Sequence, residues 1–429
     1  MSDEAIGAGA LPRSEGAIAQ SARRRARAAL RGIAQGELVI ASAAGRECFA
    51  GAAPGPRASV RVLDERFWTA LALRGALGGA EAYARGWWQA DDLVAVVRVL
   101  ARNGAALSAL ERGAAWLRPL LRLAHRLRDN DRAGSRRNIS AHYDLGNDFF
   151  ASFLDPTLTY SSAIFERPGA TLEQAQLAKY ERLCRKLGLG AQHRVLEIGS
   201  GWGGFALHAA RTRGCRVTTT TISREQFALA RERVACAGLS DRVEVLCEDY
   251  RDLRGSFDRL VSIEMIEAVG HRHLPRFFEV CAQRLAPDGV AALQAILVPE
   301  SDWERSKRSV DFVKRHVFPG GQLVALGAIS QAISGTSLRL THYEDITPHY
   351  AETLRHWRER FLASRARVAQ LGYSEGFQRT WEFYLAYCEG AFRERSNLTA
   401  QLVFENGAVR RDALLGVLED AARPAGIAA

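Results

Sequence analysis

The residue types able to do chemistry gather where apolar runs end. Val195-Leu196-Glu197-Ile198 passes straight into Gly199-Ser200-Gly201-Trp202-Gly203-Gly204, so a carboxylate precedes four glycines within six residues. A turn without side chains lets backbone N–H groups come against a ligand, and a helix starting there adds its positive N-terminus. Glycines alone also end strands for steric reasons. This turn lacks the Lys-Ser/Thr of a phosphate-binding loop, and Glu197 would repel a pyrophosphate. A ligand carrying a cationic amine suits it better, which favours S-adenosylmethionine over NAD or ATP. Three more apolar runs end in polar groups: Thr220 to Gln226, Glu248 to Arg251, and Ile263 to Glu267. Thr221 and Gln226 can bond ribose hydroxyls, and Asp249 can accept from an adenine amine.

Those groups need a scaffold that brings strand ends together. Strands are predicted at Arg194–Ile198, Arg216–Thr221, Arg242–Cys247, Arg259–Ile263 and, after a turn at Pro287-Asp288-Gly289, Val290–Ile296. Helices alternate with them. One opens on a Thr171/Gln174 capping box, with Leu177, Tyr180, Cys184 and Leu187 on one face; a second opens on Ser223/Gln226, and a third spans Leu274–Leu285. The pattern predicts an α/β fold with a Rossmann-like sheet and helices on both faces, its ligand lying across the carboxyl ends of the strands at the topological switch point.

Ahead of this part, residues 1–35 read as a basic Ala/Arg-rich arm and 36–135 as a smaller N-terminal α+β/helical accessory domain with a linker helix. Residues 136–429 form the catalytic domain. The accessory domain holds a strand candidate at Ser59–Leu63, a turn from Gly75 to Gly79, and Trp87-Trp88, read as core packing ahead of a membrane contact. Between Ala105 and Arg137, leucines such as Leu110, Leu117 and Leu121 alternate with Arg112, Arg118 and Arg122. Either an interfacial helix or an inter-domain helix with a solvated face fits. A net charge of +10 favours an anionic partner, nucleic acid or anionic lipid. No run approaches the roughly 20 apolar residues of a spanning helix. No secretory signal is evident either, so a cytoplasmic location is expected. The seven cysteines are scattered without a CxxC pair, which predicts neither a metal site nor a disulfide frame.

The run His142-Tyr143-Asp144-Leu145-Gly146-Asn147-Asp148-Phe149-Phe150, then Thr159-Tyr160-Ser161-Ser162-Ala163 and the glycine turn, resembles the cyclopropane-fatty-acyl-phospholipid synthase family. Thr221-Ile222-Ser223-Arg224-Glu225-Gln226, Glu267-Ala268-Val269-Gly270, Phe318-Pro319-Gly320-Gly321 and Tyr387-Cys388-Glu389-Gly390 follow in the same order. The likeness runs from about Asn138 to Phe404, and Gly86-Trp87-Trp88 resembles the N-terminal domain of the long bacterial members. It implies a class I methyltransferase sheet and S-adenosylmethionine contacts from Tyr160, Ser161, Gly199, Gly201, Thr221, Ile222 and Gln226, with Arg251 on the adenine side. It also implies a bicarbonate ion held by a cysteine, a glutamate, a histidine and a tyrosine. The glutamate matches Glu267 and the tyrosine Tyr350, whereas Ser162 stands at the cysteine and Gln294 at the histidine. Either these neutral groups still hold bicarbonate, or a protein carboxylate, Glu267 or Glu166, replaces it. Cys388 joins the catalytic set as a pocket wall.

The expected reaction, by that resemblance, adds a methyl group from S-adenosylmethionine to the cis double bond of an unsaturated phospholipid acyl chain. Aromatic faces, with Tyr160, Phe165, Tyr350 and Phe149 as candidates, would stabilise the resulting carbocation. A base then removes a proton, from the added methyl to close a cyclopropane ring or from a neighbouring carbon to leave a branch. The resemblance also implies a homodimer, and the substrate implies peripheral contact with the inner face of the membrane. A methyltransferase for a soluble or carrier-bound acyl substrate remains the competing enzyme reading. A nucleic-acid-binding module explains the charge but not the strand-end groups, so no nucleic-acid partner is expected.

Overall fold

The computed structural model describes residues 17–113, 130–132, 134–135 and 145–411. Most of the helix expected between Ala105 and Arg137, and the His142-Tyr143-Asp144 motif, lie outside the described residues. The chain divides into two compact units, Met1–Leu117 and Arg118–Ala429.

In the first unit, β1 (Gln35–Ser42), β2 (Gly45–Ala50), β3 (Ala53–Val62) and β4 (Trp88–Ala90) form a sheet of order β2-β1-β3-β4. Part of the basic leader forms the helix Ala17–Leu30, which buries Ala22, Ala26 and Leu30, while Arg27 pairs with Glu47 at 2.5 Å. The glycines expected as a turn lie inside the helix Arg66–Ala84. Gly75 takes φ 58° there, and the freed Ala76 N–H donates to the Glu111 carboxylate at 2.9 Å, so a side-chain acceptor completes the kink. Trp88 is buried and its indole N–H donates to Gly79 O at 2.8 Å, whereas Trp87 is half-buried with Arg66 and Arg85 over its ring. Trp88 is thus a core residue.

The second unit is built on β5 (Arg194–Ile198), β6 (Arg216–Thr220), β7 (Val243–Leu246), β8 (Phe257–Ile263), β9 (Leu285–Leu297), β10 (Arg339–Asp345) and β11 (Leu398–Glu405). They form one sheet of order β10-β11-β9-β8-β5-β6-β7. From β5 to β9 the neighbours are parallel, and β11 and β10 extend the β9 edge antiparallel. The chain runs outward from β5 to β7, then returns to place β8 on the other side of β5. That reversal is the switch point, and it lies between the glycine turn after β5 and the acidic segment after β8. Apolar cores cover both faces of the sheet. The Pro287-Asp288-Gly289 turn is a bulge inside β9: Phe257 and Arg259 of β8 face Leu285 and Val290.

The Thr171 capping box is present on the helix Leu172–Leu187. Its buried face carries Lys179, Tyr180, Leu183, Cys184 and Leu187, while Leu177 points outward. Ser223 caps the helix Arg224–Cys236 through Gln226 N, but the Gln226 side chain accepts from Thr221 Oγ1 at 2.9 Å instead of closing the box. Among the described residues no single helix is long and apolar enough to cross a membrane.

Candidate active site

The turn after β5 is shaped by three glycines with positive φ, Gly199 (97°), Gly201 (48°) and Gly203 (84°). The Gly199 and Ser200 N–H groups both donate to Thr220 O, at 3.0 and 2.9 Å, which ties the turn to the end of β6. A Cβ on Gly199 would come within 3.0 Å of the Met265 side chain, whereas among the described residues one on Gly201 would meet nothing within 4 Å. Gly201 therefore faces open space at the carboxyl end of β5, where a ligand has room.

Polar groups from three strand ends surround that turn. Glu197 is buried and accepts from Thr219 Oγ1 at 2.6 Å. Burial pushes its carboxyl up to about 8, against the pull of Thr219 and Lys179. Thr221 and Gln226 sit bonded to each other after β6, and Ile222 between them is half-buried. Asp249, after β7, is buried against Arg251, whose Nε and Nη2 donate to its two oxygens at 2.8 and 2.7 Å. Burial raises the Asp249 carboxyl, but these bonds outweigh it and hold it below the ordinary value. Arg251 also reaches Asn130 O and Ser135 Oγ, closing the far side of the strand ends. Acceptors for amines at two strand ends, with hydroxyl-binding groups between them, are a donor and acceptor set that fits S-adenosylmethionine.

Across the switch point, the catalytic candidates converge on a residue the sequence did not single out. Glu264, just past β8, accepts at Oε1 from the Ser162 N–H and from Gln294 Nε2, both at 2.8 Å. At Oε2 it accepts from the Tyr350 hydroxyl at 2.9 Å. Burial raises its carboxyl above the usual value, opposed by Gln294, Ser162, Lys179 and Tyr350. Glu264 is one of three described non-glycine residues in the left-handed region, with φ 49°, and its own N–H donates to Gln294 O at 2.8 Å. Gln294 cannot turn its amide freely, because Gln401 Nε2 donates to its Oε1 at 3.0 Å. Lys186, itself paired to Glu344, in turn donates to Gln401 Oε1 at 2.7 Å.

Glu267 stands apart from these donors. Its Oε1 accepts from Ile296 N at 2.6 Å, and its buried Oε2 has no hydrogen-bond partner among the described residues. Burial and then the charge of Glu264 push its carboxyl up to about 8. Lys179, also not foreseen, is fully buried and donates to Ser161 Oγ at 2.7 Å. Burial lowers its ammonium to about 7, opposed by Glu264, Asp155 and Glu197. Three of the four residues implied as a bicarbonate shell thus give a donor to the chain's own carboxylate: the Ser162 backbone N–H, the Gln294 amide and the Tyr350 hydroxyl are engaged by Glu264, while the Ser162 hydroxyl donates to Ala163 O at 3.1 Å and Glu267 is a second carboxyl group. The residues present do not fit an added anion there.

Aromatic rings wall this cluster. Tyr160 stacks on Phe318 at 6.1 Å, lies 5.1 Å from Trp357, and shares a hydrogen bond of 2.8 Å with the Tyr384 hydroxyl. Tyr350 stacks on Phe392 at 4.4 Å. Cys388 lies one turn beyond Tyr384 on the helix Glu375–Arg393, half-buried, and burial pushes its thiol well up, so it is a neutral wall residue. Phe165 instead stacks on His356, Phe149 belongs to a core nest with Phe150, Phe153 and Trp381, and Glu166 is exposed 3.9 Å from Arg182. Only position gives Glu264 away in the sequence: it opens the acidic segment after β8, where strand ends converge. Lys179 shows as a lysine on the apolar face of its helix.

Residues 130–402 match the family model described as mycolic acid cyclopropane synthetase. The chain is 44% identical to the tuberculostearic acid methyltransferase UfaA1 of Mycobacterium tuberculosis, over 74% of this chain and 76% of that one. It is 37% identical to the cyclopropane-fatty-acyl-phospholipid synthase of Escherichia coli K12, over 83% of this chain and 89% of that one. Among solved structures it resembles the mycolic acid cyclopropane synthase CmaA1 complexed with SAH and CTAB, with a TM-score of 0.59 and 31% identity. That alignment covers 63% of this chain and 98% of the other.

Proposed function

The chain belongs to the mycolic acid cyclopropane synthetase family, S-adenosylmethionine-dependent enzymes that modify lipid acyl chains, and on that premise we propose that it methylates the cis double bond of unsaturated phospholipid acyl chains. The observation that carries this reading is the aromatic wall of Tyr160, Tyr350, Phe318 and Trp357 against one half-buried carboxylate. An alkene is a weak nucleophile and leaves a cation on the chain when it reacts. Rings stabilise such a cation without capturing it, and a dry wall keeps water from doing so. The phospholipid form of the substrate is supported by the Escherichia coli relative, which is named for it and whose length the chain largely spans.

S-adenosylmethionine, when bound, supplies an electrophilic methyl group on a sulfonium. Glu197, the Gly199–Gly203 turn, Thr221, Gln226 and Asp249 would hold it, with Arg251 fixing Asp249. Tyr160 and Ser161 would lie on its acyl-chain side, where Lys179 fixes the Ser161 hydroxyl. The enzyme would work as a peripheral protein at the inner face of the membrane. Two short helices, Trp303–Arg308 and Phe312–His316, carry Arg305, Lys307, Arg308, Lys314 and Arg315; of these Lys314 is buried and donates to Ser306 O and Ser309 O, so its charge is not available to head groups.

Ring closure is the leading product. A branched product is the second reading, favoured by the relative named as a methyltransferase and by the altered set around Glu264. Feeding labelled methionine to a host that makes this protein, then separating phospholipid acyl chains by chromatography and mass spectrometry, distinguishes them. A labelled ring supports the first and a labelled branch the second. Label confined to soluble or carrier-bound acyl groups rejects the phospholipid reading.

A further inference from the structure

We infer that the Glu264 carboxylate takes the place of an external anion and is the base that removes the proton from the methylated acyl chain, an assignment that rests on the proposed function. A carboxylate and a bicarbonate present the same O–C–O edge to donors. Here the edge is filled from within the chain: Oε1 receives the Ser162 N–H and Gln294 Nε2, and Oε2 receives the Tyr350 hydroxyl. These three residues come from the loop before the helix Leu172–Leu187, from β9 and from the helix Thr347–Ala363. Their convergence on one carboxylate belongs to the tertiary fold, since the partners lie 102, 30 and 86 residues away.

Oε1 accepts two bonds and Oε2 one, so among the described residues the remaining lone pair on Oε2 is the one able to take a proton. That oxygen lies beside the Tyr350 ring, which with Trp357 and Phe392 belongs to the aromatic wall. The backbone supports the same conclusion. A glutamate at φ 49° is strained and persists where its surroundings over-determine it, as the Glu264 N–H to Gln294 O bond does. The Lys186–Gln401–Gln294 chain fixes which end of the Gln294 amide faces Glu264. A free anion added here would meet Glu264 at close range with its donors already engaged, and like charges at one site oppose each other. Glu267 is placed differently: burial and the charge of Glu264 push its carboxyl up to about 8, so of the two neighbouring carboxyls it is the one that carries the proton while Glu264, held by three donors, is the carboxylate.

The step balances without another reagent. Once the new C–C bond has left a cation on the chain, a C–H bond of the added methyl or of a neighbouring carbon breaks. Its electron pair closes the ring bond or forms a double bond, and the proton passes to Glu264 Oε2. The carboxylic acid returns that proton to water before the next turnover.

The test uses the full chain with vesicles of dioleoyl phosphatidylglycerol, in carbonate-free buffer and with added bicarbonate or formate, with cofactor binding followed by calorimetry. Wild type is expected to turn over within twofold at either bicarbonate level. Glu264→Ala is expected to lose about 10²–10⁴-fold, to bind S-adenosylmethionine as wild type does, and to regain at least tenfold with added bicarbonate or formate. Glu264→Gln is expected to lose as much without being rescued, and Glu166→Gln to stay within twofold. Wild-type turnover that collapses in carbonate-free buffer overturns the assignment, as does a Glu264→Gln variant with wild-type turnover. Should Glu264→Ala fail to fold, the carbonate dependence of wild type decides alone. Wild type that makes no lipid product under any condition overturns the substrate reading itself, which separates the two failures.

Discussion

The Tyr350 hydroxyl donates to Glu264 Oε2 at 2.9 Å, joining the helix Thr347–Ala363 to the end of β8. A hydrogen bond to a charged group contributes about 1.5–3 kcal/mol, so Tyr350→Phe should lower kcat roughly ten- to hundredfold. Cofactor affinity should not change, because Tyr350 is not among the strand-end groups. Steady-state kinetics beside calorimetric titration of S-adenosylmethionine checks both parts.

The pH dependence follows from the form of Glu264 that acts. The carboxylate must be ionised, and burial raises its proton affinity above the ordinary 4.5. The rate should therefore be full at high pH and fall as pH drops through that raised value. Lys179 is one of the groups opposing the rise, so Lys179→Met should move the acid limb to higher pH. A pH–rate profile of the two proteins measures the shift; an unmoved limb would remove Lys179 from the electrostatics of the site.

Stability should carry a separate signature from Glu267. Its folded-state value of about 8 lies above the ordinary 4.5, so between those values the folded state binds more protons than the unfolded. The stability contributed is thus present below 4.5 and is lost as pH rises toward 8. Glu197 adds a loss of the same sign in the same window. Glu267→Gln should flatten the fall of Tm across that window, which differential scanning calorimetry at stepped pH can read.

What the sequence disclosed and what it hid divide along a physical line. The strands β5 to β9 and their glycine turn were legible because buried parallel strands are continuous apolar runs and their ends carry unusual polar residues. The Thr171 cap was legible because it is local. Glu264 was not, since its meaning comes from Ser162, Gln294 and Tyr350 arriving from distant elements. The edge strands β10 and β11 escaped for a related reason: β10 alternates only between exposed and half-buried residues, and β11 is placed by pairing with β9. The Gly75–Gly79 stretch misled because Glu111, from another helix, completes its kink.

Gly201 offers a test of the cofactor loop alone. Its φ of 48° suits an L-residue at a cost of about 1–2 kcal/mol, and a Cβ there meets no atom of the described residues within 4 Å. Gly201→Ala should therefore fold, yet weaken S-adenosylmethionine binding at least tenfold, because the methyl group enters the ligand's space. Unchanged affinity by calorimetry would move the cofactor away from this turn.

Methyl transfer to the acyl double bond of a phospholipid leaves a mass signature in the lipid. Its most direct test is incubation of the purified chain with dioleoyl phosphatidylglycerol vesicles and S-adenosylmethionine deuterated in its methyl group, followed by mass spectrometry of the intact lipid and its acyl chains. The expected result is a phospholipid acyl chain carrying one added labelled carbon, with one deuteron lost where a ring has closed. Phospholipid left unlabelled by a preparation that binds S-adenosylmethionine in calorimetry would contradict it.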